Sequence, residues 1–219
     1  MKLARGLERR LERLVDGLAA RIFRGSLHPV ELANRLIREA DLAIVENRAG
    51  PTIPNVYRLR IATEELPPED QMQRLSSELG AAVAATAAER GWRLEGPVYV
   101  QVVADQRLAA GSMAVETDFH AAELPAWAHL EELKGSRRLP LRHVRCLVGR
   151  AVDVDVNLPV QEVSRYHALI WREASGVWVA DLGSVNGTYA DGRPARDPVA
   201  VHDGSVLAFG PAAFTFRAG

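Results

Sequence analysis

The spacing of apolar residues changes along this chain, and the change divides it into two architectures. Leu3, Leu7, Leu11, Leu14, Leu18 and Ile22 recur every three or four positions and form one stripe of a long amphipathic helix. Arg24-Gly25 is predicted to end it, with glycine suited to a left-handed cap. Pro29 fits the first turn of a second helix whose inner face is Leu32, Leu36, Ile37, Ala40 and Ala43. A turn-rich break follows from Asn47 to Pro54, after which the period becomes two. Tyr57, Leu59 and Ile61 then oppose Arg58 and Arg60, as in a half-buried strand. Pro67-Pro68 opens a third helix carrying Met72, Leu75, Leu79, Val83 and Ala87 on one face, and Gly91 stops it. Strands are predicted near 97–104 and 112–119. This order describes a small α+β sandwich of helices on a sheet. Beyond residue 126 only short alternating runs remain, at 139–148, 167–172, 177–181 and 206–216, separated by Gly, Pro, Asn and Asp. Such a pattern predicts a β-sandwich.

The 219 residues therefore divide into an amino-terminal α+β domain over 1–120, a short linker at 121–126 and an all-β domain over 127–219. A formal net charge of −1 argues against the broad electrostatic attraction to nucleic acid that a strongly basic chain has. The lone cysteine, Cys146, excludes an intramolecular disulfide. Its place in the apolar run Cys146-Leu147-Val148 predicts buried packing. The opening residues lack the apolar core of a secretory signal, and the weakly apolar stretch 80–88 is too short to span a bilayer. A cytoplasmic protein is expected.

Three strings in the last third bear on function: Gly149-Arg150, Ser164-Arg165-Tyr166-His167 and Asn186-Gly187-Thr188, with 13 and then 18 residues between them. In this order they resemble the signature of a forkhead-associated (FHA) domain, a module that reads phosphothreonine in partner proteins. A phosphothreonine carries nearly two negative charges and three acceptor oxygens, so its recognition calls for fixed donors, above all guanidinium. The resemblance implies that Arg150 and Ser164 hold the phosphate, that Arg165 is a second cation, and that Asn186 hydrogen-bonds the ligand backbone. It implies structural roles for Gly149, His167 and Gly187, with the histidine buried between the binding loops. For Asn186-Gly187 a tight turn is the simpler reading, and both roles are compatible. Val185 stands where the family often has Thr or Ser, which removes a hydroxyl near the phosphate. Ser184 either replaces that contact or only shapes the turn. Glu162 lies in a region that helps the family read a ligand residue beyond the phosphothreonine, and an acid there disfavours an acidic residue.

The amino-terminal order resembles the FhaA-type bacterial adaptors, in which a domain of KH-like topology precedes the FHA domain. The resemblance rests on the leucine-rich opening helix, on Phe23-Arg24-Gly25-Ser26 followed by Pro29, and on Gly91-Trp92. It implies a threonine-phosphorylated partner in a membrane Ser/Thr kinase circuit of cell-wall synthesis or division (the kinase itself or a substrate), and recruitment to the inner face of the membrane. It also implies a second protein partner for the amino-terminal domain.

Rival readings are weaker. Ser164, His167 and Asp181 supply the residue types of a hydrolase triad, but the histidine follows the serine by three positions on one loop, and Gly183-Ser184-Val185-Asn186-Gly187 is not a nucleophile elbow. Walker A, HExxH and CxxC patterns are absent and the six histidines are scattered, so no enzyme, metal or cofactor is expected. An RNA-associated scaffold would need the Gly-x-x-Gly loop of KH domains, and no two glycines are three apart. A membrane-surface scaffold would use the basic first helix, with Lys2, Arg5, Arg9, Arg10, Arg13, Arg21 and Arg24. That helix's leucine stripe suits packing within its own domain better, and stable insertion is not expected.

Overall fold

The computed structural model describes residues 27–219. The expected first helix at 3–22, its cap at Arg24-Gly25 and the string Phe23-Arg24-Gly25-Ser26 lie outside the described residues. Two compact units are present. Among the described residues the first comprises 27–45, 52–89 and 94–122, and the second comprises 46–51, 90–93 and 123–219.

In the first unit, α1 (Pro29–Leu42) begins with a capping box: the His28 ring accepts from the Val30 amide, and the Glu31 carboxylate accepts from the His28 amide. Its inner face is Leu32, Ala33, Leu36, Ile37 and Ala40. The break expected at 47–54 instead contains the hairpin β1 (Val45–Asn47) and β2 (Gly50–Thr52), whose residues 46–51 belong to the second unit. Its turn is closed by Asn47 Oδ1, which accepts from the Ala49 amide at 2.8 Å, and by Gly50 at φ +102°.

The strand β3 (Val56–Ile61) buries Tyr57, Leu59 and Ile61, as its alternation requires. After a 3-10 turn, α2 (Glu69–Arg90) buries Leu75, Leu79, Val83 and Ala87, and Gly91, at φ +66°, ends it. This helix is the crossover that lets β4 (Tyr99–Ala104) pair parallel to β3; β5 (Met113–Asp118) pairs antiparallel on the other side. The unit is α+β. No described helix is long and apolar enough to cross a membrane.

The second unit is a β-sandwich. One sheet contains β6 (Ala128–Glu132), β7 (Arg138–Leu141), β12 (Thr188–Ala190), β13 (Arg193–Pro194), β15 (Val206–Phe209) and β16 (Ala212–Ala218), in the order β13-β12-β15-β16-β6-β7. The other contains β8 (Arg145–Gly149), β9 (Val156–Asn157), β10 (Ala168–Glu173), β11 (Gly176–Asp181) and β14 (Val199–Val201), in the order β14-β11-β10-β8-β9. Leu130, Cys146, Val148, Ile170, Val179, Leu207, Phe209, Phe214 and Phe216 fill the space between them.

Two expected runs are each two strands. The run 139–148 leaves one sheet at Leu141 and enters the other at Arg145. The polar corner Arg142-His143 makes the crossing, with the Arg142 guanidinium donating to the Leu124 carbonyl at 2.6 Å. The run 206–216 folds back as a hairpin at Gly210, φ +59°. Cys146 is wholly buried; burial pushes its thiol up to about 12, leaving it inert as a nucleophile.

Candidate functional site

The loops at one end of the sandwich enclose an open groove of about 410 Å³. Arg150, Ser164, Arg165 and Asn186 all line it, as do Glu162 and Val185. Gln161, Val163 and Tyr166 complete the lining, and sequence reasoning did not single these three out. Ser184 does not line it.

The groove is shaped by backbone closures. Arg150, just past the end of β8, donates its amide to the Ser164 carbonyl at 3.1 Å, and Ala151 donates to the Arg165 carbonyl at 3.2 Å. This stitching explains Gly149: a Cβ there would lie 2.1 Å from the Arg165 carbonyl oxygen. His167 is fully buried beneath it. Its Nδ1 accepts from the Ser164 amide at 3.0 Å, and its Nε2 lies 3.0 Å from the Gly187 carbonyl. An acceptor at one nitrogen and a donor at the other define a neutral ring protonated on Nε2. The ring edge packs on Phe209 with centroids 6.0 Å apart. One side chain thus ties the loop at 164 to the loop at 187.

A second closure is Asp181, whose carboxylate accepts from the amides of Gly183 and Ser184 at 2.8 Å each, and from the hydroxyls of Ser184 at 2.6 Å and Thr188 at 2.7 Å. Ser184 is therefore a turn-shaping residue. Burial pushes the Asp181 carboxyl up, but these four hydrogen bonds together outweigh it and hold the group below its ordinary 3.8. The spacing Asp-x-Gly-Ser is an Asx-turn signature that sequence inspection could have used. Gly187, at φ +75°, completes the turn.

What remains unused faces the groove. The Ser164 hydroxyl accepts from the Val185 amide at 3.1 Å, so its own proton is available to a ligand. Asn186 donates from Nδ2 to the Glu162 carbonyl at 2.7 Å, which fixes its carboxamide while leaving the oxygen open. Among the described residues, no hydrogen bond or ion pair engages the guanidinium of Arg150 or Arg165. Two cations and a hydroxyl proton on one groove, unengaged among the described residues, are chemically suited to an anion. The arrangement is not a catalytic triad: both ring nitrogens of His167 serve backbone groups, and Asp181 serves its own loop.

A sandwich whose interstrand loops line one groove, tied from beneath by one histidine, is the FHA architecture. Residues 146–210 match the FHA domain family model, and residues 5–116 match the model described as FhaA, N-terminal domain. The chain belongs to the FhaA N-terminal-domain family and carries an FHA domain behind that domain.

The transcriptional regulatory protein EmbR of Mycobacterium tuberculosis is 31% identical over 116 residues, covering 52% of this chain and 27% of EmbR. The FHA domain-containing protein FhaB of the same organism is 30% identical over 143 residues, covering 65% of this chain and 82% of FhaB. The solved structure of M. tuberculosis EmbR in complex with a low affinity phosphopeptide shares 31% identity over 43% of this chain and 25% of that one, with a TM-score of 0.41. The chain thus spans about a quarter of EmbR's length.

Proposed function

We propose that this protein is a phosphothreonine-dependent adaptor whose groove binds threonine-phosphorylated protein segments. The supporting observation is that Arg150 and Arg165, neither engaged by a carboxylate among the described residues, line one groove with the Ser164 hydroxyl. In this reading Arg150 and Ser164 take the phosphate, Arg165 adds a second charge, and Asn186 holds the ligand backbone. Each charge-assisted hydrogen bond contributes about 1.5–3 kcal/mol. Three of them, less the cost of ordering a peptide, lead to micromolar affinity, about −8 kcal/mol. Removing the phosphate then removes most of the binding. The chemistry suits a reversible switch.

In this reading the phosphorylated partner belongs to a bacterial Ser/Thr kinase circuit linked to cell-wall synthesis or division and acts at the inner face of the membrane; resemblance to FhaA-type proteins supports it. The amino-terminal unit binds a second protein. Titration of matched phosphothreonine, phosphoserine and unmodified peptides tests the reader role: the first binds best and the last not at all. Arg150→Ala loses at least roughly tenfold in affinity, about 1.4 kcal/mol, with its circular dichroism unchanged. Equal binding of the unmodified peptide refutes the reading. A pull-down from lysate, with and without phosphatase treatment, carries the same test to native partners.

A further inference from the structure

Arg48, on the hairpin tip at 46–51 of the second unit, lies outside the three FHA strings. The Arg48 guanidinium stacks on the Tyr166 ring, 4.3 Å from its centroid. Tyr166 is itself a wall of the phosphate groove. Its phenol donates to Asp153 at 2.6 Å, and this hydrogen bond leads the causes that push its pKa up, while the charges of Arg48 and Arg165 pull it down together. One aromatic side chain therefore feels both arginines.

Arg48 is held in place. Ala49, next to it, is 3% exposed and packs with Leu147 and Leu169 in a small cluster that also receives Tyr166 and Trp171. The Arg145 side chain donates to the Ala49 carbonyl, and a Cβ at Gly50 would lie 2.6 Å from Arg145 Nε. The hairpin tip is fixed by a buried methyl group and a guanidinium, which limits the entropy Arg48 loses on binding. Among the described residues no hydrogen bond or ion pair engages the Arg48 guanidinium. Among the described residues it contacts the Tyr166 ring, which leaves its N–H donors for a ligand.

We propose that Arg48, held on the Tyr166 ring, forms a second anion subsite beside the phosphothreonine position. The groove then selects peptides carrying an additional anionic side chain, a second phosphate or a carboxylate, on the Tyr166 side. Glu162, the one carboxylate among the lining residues, lies four positions earlier on the same wall, and Asp153 accepts at the Tyr166 hydroxyl; both repel an anion placed against them, so the N–H donors of Arg48 are what an added anion meets. This rests on the phosphothreonine reading above and adds the charge pattern of the ligand to it.

The test uses the full chain and peptides with one central phosphothreonine in an alanine background. Glutamate, phosphoserine or glutamine is placed in turn at each flanking position, and binding is followed by fluorescence anisotropy at two salt concentrations. At one position, or two neighbouring ones, an anion raises affinity about three- to fivefold over glutamine, the scale of a partly exposed ion pair. The gain shrinks as salt rises. In Arg48→Gln the anionic and neutral peptides bind alike, and Arg48→Lys restores part of the difference. A gain with phosphoserine alone assigns the subsite to a second phosphate, and a gain with both assigns it to anions generally. No gain at any position, or a gain that survives in Arg48→Gln, overturns the subsite while leaving the reader role standing. If the singly phosphorylated peptide itself fails to bind, the reader role falls and the subsite with it.

Discussion

Replacing His167 with alanine isolates the closure beneath the groove. In the folded protein the ring accepts from the Ser164 amide and meets the Gly187 carbonyl, each at 3.0 Å, with no solvent exposure. Alanine leaves one buried N–H and one buried C=O without a partner, at about 1–3 kcal/mol each. It also opens a void beside Phe209, which adds to the loss. The sum is about 3–5 kcal/mol, a large part of the stability of a unit this size. All four tryptophans, Trp92, Trp127, Trp171 and Trp178, belong to the second unit, so tryptophan fluorescence in urea reports on that unit alone. The expected shift of the midpoint is roughly 2 M downward. Phosphopeptide affinity measured at low denaturant should fall as well, because the loops at 164 and 187 lose their common anchor. A midpoint within about 0.3 M of the wild type, well inside the expected shift, would show that the ring does not lock these loops. The structural role of His167 would then be wrong.

Three further outcomes follow from the same geometry. Gly149→Ala places a methyl group 2.1 Å from the Arg165 carbonyl oxygen, so it should displace the 164–165 backbone and lower phosphopeptide affinity at least as much as Arg150→Ala; unchanged affinity by anisotropy would refute this. Asp181 has a lower carboxyl pKa folded than its ordinary 3.8, so its contribution is complete above that value and is lost as pH falls through the folded value; exchange at the Gly183 and Ser184 amides should accelerate there, and Asp181→Asn should abolish that pH dependence. Asp155 is held at about 2: burial raises it, but His143, a bidentate Arg93 at 2.9 Å and the Leu147 amide outweigh that effect. Its support for the second unit should likewise be full above 3.8 and fail toward pH 2. Asp155→Asn at neutral pH should cost about 3–5 kcal/mol by urea unfolding, because the Arg93 charge stays buried.

The elements with a clean period were the most legible. Alternation along 57–61 identified the buried face of β3, and the three- and four-residue spacing of Leu75, Leu79, Val83 and Ala87 identified that of α2. The groove residues were legible for a different reason. Arg150, Ser164, Arg165 and Asn186 lie at strand ends or on loops whose order in the chain is fixed by the sandwich, so short strings carry them together. Alternation says nothing about which sheet a strand joins, and the run 139–148 therefore concealed a crossing from one sheet to the other. The hairpin at 45–52 was hidden because turn residues dominate it and its strands are three residues each, too short to show a period.

Least legible of all was the pairing state of each charge, and the chemistry of the site depends on it. The sequence holds 27 basic and 28 acidic residues, a near balance that by itself locates no anion site. Folding distributes the charges unevenly. Arg93 is bound to Asp155, Arg137 to Glu132 and Arg142 to Glu123, so these cations offer little residual field to a ligand. Arg150 and Arg165 line one groove and Arg48 stacks on its Tyr166 wall, with no carboxylate engaging them among the described residues. Arg93 meets its partner across 62 positions, a distance over which no local pattern carries information. A phosphate is attracted by the field that remains after internal pairing, not by formal net charge. A nearly neutral chain can therefore hold a doubly charged ester at one groove, and adding a carboxylate partner for Arg165 there should weaken phosphopeptide binding even with every direct phosphate contact intact.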